Sequence, residues 1–164
     1  MSTKQYATFR VGENFFALDI LLIREINRNL DIRPVNLAPN FIRGLLNLRG
    51  QIVTVIDLGM KIKGNPIQLS KASRCIILKD SEECSLVFTE EQVKELHGED
   101  QNAFLVDEIG DMIAIQEDKL EDTPASLGGM KSEVIKNVYR QDGKIFLVLD
   151  SYYLLQSDED SADV

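Results

Sequence analysis

The stretch that most constrains the fold is Phe41 to Leu58, FIRGLLNLRGQIVTVIDL. Two apolar runs, Leu45-Leu46 and Ile52 to Ile56, flank Asn47-Leu48-Arg49-Gly50. The second run is mostly β-branched (Ile52, Val53, Thr54, Val55, Ile56), and such side chains pack well on a pleated surface. Gly50 reaches positive φ without steric cost, so it suits the turn between paired strands. Asp57 is a ready N-cap for a short helix from Leu58. The spacing therefore predicts a hairpin running into a helical turn. Arg49 is the residue that hairpin chemistry leaves unexplained, because any polar side chain would serve beside that glycine.

A second hairpin of the same design closes the chain. With Gly143 laid on Gly50, Ile135 falls on Ile42, Val138 on Leu45, Ile145 on Ile52, Val148 on Val55, Leu149 on Ile56 and Asp150 on Asp57. Upstream, Leu105-Val106-Asp107 matches Ala17-Leu18-Asp19. This implies two similar β-rich units in tandem, with a break at Gly64-Asn65-Pro66. Short, evenly spaced strands favour small barrels or sandwiches. A half-chain of this size makes only a small core, so the units are expected to pack together and leave a groove between them. At the positions of Asn47, Leu48 and Arg49 the second hairpin holds Arg140, Gln141 and Asp142. The fold does not demand Asn-Leu-Arg before the glycine, so function is the better account of it.

Taken in order, the chain starts with a hairpin, Tyr6 to Val11 and Phe15 to Asp19 around Gly12-Glu13-Asn14. Ile20 to Ile26 reads as a helical turn leading into a strand. Ile32 to Val35 reads as a short strand interrupted by Pro34. After a connector over 64–73, strands are expected at 74–79, 85–88, 103–108 and 112–116, the last two around Gly110-Asp111. Thr89 to His97 has the best helix pattern, with Thr89 as N-cap and Gln92 as its capping-box partner. A polar loop over 117–133 precedes the last hairpin, Val134 to Tyr139 and Lys144 to Leu149. Asp150 caps a final turn, and the acidic tail at 158–164 is expected to be disordered.

The formal net charge of −9, from 18 basic and 27 acidic residues, opposes binding to phosphate backbones. Basic residues nevertheless cluster: Arg24, Arg28, Arg33, Arg43 and Arg49 face only Glu25 and Asp31 in the same stretch. An arginine-rich face built to meet acidic side chains is the expectation. Cys75, Cys84 and the single His97 lack zinc-ligand spacing, so free thiols and no metal are expected. No apolar run reaches the ~20 residues of a membrane helix, and the N-terminus lacks a signal peptide's apolar core. A cytoplasmic protein is expected. No phosphate-binding glycine loop or Cys-His pairing is present, so neither catalysis nor a cofactor is expected.

The segments "ALDILLIREI" and "NLRGQIVTVIDL", with the proline-bearing "IRPV" and "APNFIRG" and the closing "IFLVLD", resemble the CheW family of bacterial chemotaxis coupling proteins. The resemblance runs from about Phe9 to Leu155. It implies an all-β fold of two five-stranded SH3-like barrels side by side, with short helices, as one CheW-like domain over 1–157. The first barrel would span about 9–63 and the second about 74–150. It also implies an adaptor without enzymatic activity, linking the cytoplasmic tip of a chemoreceptor coiled coil to the regulatory domain of the histidine kinase CheA. Membranes would be met only through receptors. Carried over by residue, the receptor-facing positions are Ile23, Glu25, Gly44, Asn47 and Arg49. Glu25 and Arg49 are expected to approach each other at the groove. The kinase-facing residues are not assigned, and Asp80 to Asn102 is longer than the family's usual connection. The competing reading is a small barrel that binds single-stranded nucleic acid or a protein partner outside chemotaxis.

Overall fold

A computed structural model describes residues 2–84, 101–125, 127, 129–130, 132–151 and 154. The strand expected at 85–88, the helix at 89–97 and the acidic tail lie outside these residues. The described strands are β1 (Thr3–Val11), β2 (Asn14–Asp19), β3 (Ile23–Asn27), β4 (Ile42–Leu48), β5 (Gln51–Asp57), β6 (Arg74–Leu78), β7 (Asn102–Val106), β8 (Glu108–Gln116), β9 (Ile135–Gln141) and β10 (Lys144–Leu149). Helix α1 (Leu58–Lys63) follows β5, and the single turn α2 (Ser81–Cys84) follows β6. Ile32 to Val35, expected as a strand, contributes only a bridge from Arg33 to Leu45.

The fold is all-β, with two five-stranded SH3-like units ordered β3-β6-β7-β5-β4 and β8-β1-β2-β10-β9. Their strands do not divide near Gly64, which corrects the boundaries of 9–63 and 74–150. The tandem repeat is β1 to β5 followed by β6 to β10, but each repeat gives its leading hairpin to the other unit. Hairpin β6-β7 completes the unit of β3, β4 and β5, and β1-β2 completes that of β8, β9 and β10. Connection length explains the exchange. Asp107 alone joins β7 to β8, and one residue cannot reverse a chain into an antiparallel neighbour. The chain runs on into the other sheet instead. The three residues Ile20–Leu22 form the equivalent 3-10 link between β2 and β3, capped by Asp19.

The two closing hairpins share one register. Ile42 pairs with Ile56 and Gly44 with Val55; likewise Ile135 pairs with Leu149 and Asn137 with Val148, so both carry the same bulge. The match further upstream shifts by two residues. Val55 pairs in parallel with Ala103 and Val148 with Ala17, so Ala103-Phe104-Leu105, not Leu105-Val106-Asp107, is the counterpart of Ala17-Leu18-Asp19. Apolar identity alone could not fix that register, because β7 is buried continuously from Ala103 to Val106.

One large core joins the units. Phe9, Phe16 and Leu18 from one sheet pack in the same cluster as Leu46, Val55, Ile76 and Phe104 from the other. A smaller cluster of Tyr6, Ala17, Ile115, Phe146 and Val148 lies on the other side of β2 and β10. Strand β2 is thus buried on both faces, which gives the donated hairpin a large share of its new unit's core. Asp57 closes the first unit's end: it is 2% exposed, caps α1 through Met60 N at 3.1 Å, and accepts from Arg43 at 2.8 Å.

Candidate functional site

Turn β4–β5 is a two-residue loop, since Leu48 pairs with Gln51. Both of its central residues have positive φ, 51° at Arg49 and 85° at Gly50. That is the type I′ pattern, whose twist matches the flanking strands. The Asn47 side chain accepts from Gly50 N at 3.0 Å and holds the loop shut. Arg49 therefore leaves the sheet in a fixed direction.

That direction is across the seam of the unit. β3 and β4 are the two edge strands of their sheet. Arg49 Nη2 donates to Glu25 Oε1 on β3, so the two side chains meet and the pair spans both edges. Glu25 is 26% exposed and Arg49 is 72% exposed, so most of the guanidinium faces solvent while its partner is half-buried. Asn27 Nδ2 donates to the other Glu25 oxygen at 3.4 Å. Ile23 lies two residues along β3, half-buried against the large core.

Gly44 belongs to the same seam in a different way. The Arg33 backbone exchanges two 2.8 Å hydrogen bonds with Leu45 on β4. A Cβ on Gly44, whose φ is +151°, would stand 2.2 Å from the Arg33 carbonyl oxygen. Gly44 makes room for the backbone that closes the barrel; it offers no side chain of its own.

Among the described residues, a cleft between the units lies elsewhere. It measures about 440 Å³ and is walled by Arg10, Gly12 and Asp107 on one side and by Lys63, Asn65 and Ile67 on the other. None of the five expected residues lines it. The expected guanidinium at the lip of a groove between the barrels is corrected to a guanidinium at the edge seam of the first barrel.

The arginine-rich face is also largely neutralised from within. Arg43 binds buried Asp57 and the Ile67 carbonyl, both at 2.8 Å. Arg33 is 3.9 Å from Asp31. Arg24, expected on the partner-facing surface, instead contacts Glu83, Asp80 and Gln101. Its partners sit in a capping box: Glu83 N donates to Asp80 Oδ1 at 2.8 Å and Asp80 N to Glu83 Oε1 at 3.2 Å. The Asp-x-x-Glu spacing over 80–83 was the available signal. Hydrogen bonding from Arg24 holds the Glu83 carboxyl below its usual range. Arg49 therefore stands out as the strongly exposed cation of this stretch fixed by a better-buried acid.

Both cysteines are buried free thiols, and burial pushes Cys75 up to about 11. Among the described residues no cluster of His, Cys, Asp and Glu could hold a metal ion. Among them, too, no helix is long and apolar enough to cross a membrane.

Known proteins agree with this architecture. The family model described as CheW-like domain matches residues 5–159. Chemotaxis protein CheW of Treponema pallidum is 28% identical over 158 residues, covering 94% of this chain and 84% of that protein. Chemotaxis protein CheW of Thermotoga maritima is 28% identical over 144 residues, covering 87% and 82%. The crystal structure of scaffolding protein TtCheW from Thermoanaerobacter tengcongensis superposes with a TM-score of 0.77 at 23% identity, covering 96% of this chain and 91% of that one. With nearly its whole length matched and its two-unit β fold shared, the chain belongs to the CheW-like domain family of chemotaxis adaptors.

Proposed function

We propose that this chain couples the cytoplasmic tip of a chemoreceptor coiled coil to the regulatory domain of the histidine kinase CheA, in receptor arrays at the inner membrane. The observation that carries the reading is the Arg49–Glu25 pair at an exposed barrel edge. A guanidinium held by one half-buried carboxylate keeps free donors for a second acceptor, and its planar fork suits acidic side chains on a receptor helix. Ile23 supplies apolar contact beside it. Asn47 fixes the turn, and Gly44 acts through the backbone. The mechanism is differential affinity: the adaptor transmits a receptor state only as far as it binds one state better than another.

The test is co-sedimentation with receptor-bearing membranes, with and without CheA. Kinase reaching the pellet only when this protein is present supports the reading. Arg49→Ala should abolish that recruitment while leaving the fold intact. Unchanged recruitment by a folded Arg49→Ala variant would remove the role given to Arg49.

A further inference from the structure

We propose that Arg24 is a positioning residue for the Glu25–Arg49 pair, because it pins the β3 bulge from which Glu25 projects. The inference rests on the receptor-facing reading of that pair. The register between β3 and β6 slips between Ile23 and Glu25, leaving Arg24 as the extra residue. A bulge leaves that residue outside the ladder and re-aims its neighbours. The second unit has the same slip. Ile109 pairs with Phe9 and Met112 with Ala7, as Ile23 pairs with Leu78 and Ile26 with Ile76. Gly110 and Asp111 thus take the places of Arg24 and Glu25.

Each unit secures its bulge by different chemistry. In the second, the buried Thr8 hydroxyl donates to the Asp111 carbonyl. Gly110 leaves room for this, since a Cβ there would stand 2.7 Å from that hydroxyl. In the first unit the place of Thr8 is held by Ile77, which has no donor. The Arg24 side chain supplies the fastening instead. Its Nε donates to both Glu83 carboxylate oxygens at 2.9 Å, Nη2 to Glu83 and to Asp80 at 3.3 Å, and Nη1 to Gln101 at 3.2 Å. Asp80 and Glu83 already bond to each other in their capping box, so the guanidinium is anchored to a hydrogen-bonded turn. Glu25, the next residue, inherits its direction from that anchor.

The test uses the full chain with Arg24→Ala, Arg24→Lys and Glu83→Gln, none of which touches Arg49. The first readout is the NMR resonance of Arg49 Nε–Hε, calibrated with Glu25→Gln. The second is affinity for a peptide hairpin carrying a receptor tip. Arg24→Ala and Glu83→Gln should both move the Arg49 resonance toward its Glu25→Gln position and weaken binding severalfold. Arg24→Lys keeps the charge but not the fork, and should recover part of both. An Arg49 resonance unmoved in both variants overturns the proposal. If Arg24→Ala does not fold, Glu83→Gln decides alone. Failure of the wild-type chain to bind any receptor tip would sink the receptor reading, while the resonance would still decide whether Arg24 positions Glu25.

Discussion

Arg49 and Asp142 occupy the same backbone position, the first central residue of a two-residue hairpin turn before glycine, with φ of 51° and 52°. Asp-Gly is among the sequences such a turn prefers, because a short polar side chain tolerates the left-handed region. Arginine has no such advantage. The first unit therefore accepts a locally poorer turn residue and gains a guanidinium that reaches Glu25.

Arg49→Asn tests that trade. Relief of the left-handed strain should outweigh an exposed ion pair worth ~0–1 kcal/mol, so the variant should match or exceed wild type by roughly 0.5–1 kcal/mol. Urea unfolding measures the stability. The same variant should lose receptor recruitment. A clear loss of stability would mean that the pair matters more to the fold than its exposure implies.

Gly44→Ala should act in the opposite sense. The new methyl meets the Arg33 carbonyl at 2.2 Å at a φ of +151°, and overpacking plus backbone strain costs roughly 2–5 kcal/mol. The Arg33–Leu45 bridge should open, visible as fast hydrogen exchange at Leu45 N. Any loss of binding should then follow the loss of stability, unlike the loss in Arg49→Ala.

The exchanged hairpins make a prediction about cutting the chain. Separate polypeptides ending and starting within 64–73 each hold three strands of one unit and the hairpin of the other. Neither should fold alone, and an equimolar mixture should restore the β-sheet signal and elute as one species. Independent folding of either half would show that the exchange is not obligatory.

The Arg24 clasp sets a pH dependence. The Glu83 carboxyl, whose ordinary value is 4.5, is lowered mainly by its hydrogen bond from Arg24. A group with a depressed folded value stabilises the protein above its unfolded value and loses that contribution as pH falls through the folded one. The stability gap between wild type and Glu83→Gln should therefore be flat near neutrality and shrink below pH 4.5. A gap that widens on acidification would contradict this.

Both thiols should be inert in the native protein. Cys75 and Cys84 are fully buried, and burial raises both, Cys75 to about 11. Only the thiolate reacts at a useful rate. Alkylation at pH 8 should thus be slow until guanidinium unfolds the chain and both cysteines label. Rapid labelling of either in the native state would mean that its site opens without global unfolding.

What the sequence determined by itself was local. Alternating β-branched runs around Arg49-Gly50 and Asp142-Gly143 specify hairpins, because side-chain period and turn conformation depend on a few neighbouring residues. The same locality made the cap at Asp57 legible, and the family motifs brought Glu25 and Arg49 forward as a pair. Tertiary structure decided which strands share a sheet. That choice turns on a one-residue link at Asp107 and on where β2 finds a core for both of its faces, neither of which leaves a periodic trace. It also decided the role of Arg24, whose partners Asp80, Glu83 and Gln101 lie far along the chain and meet it only because β3 and β6 are neighbours.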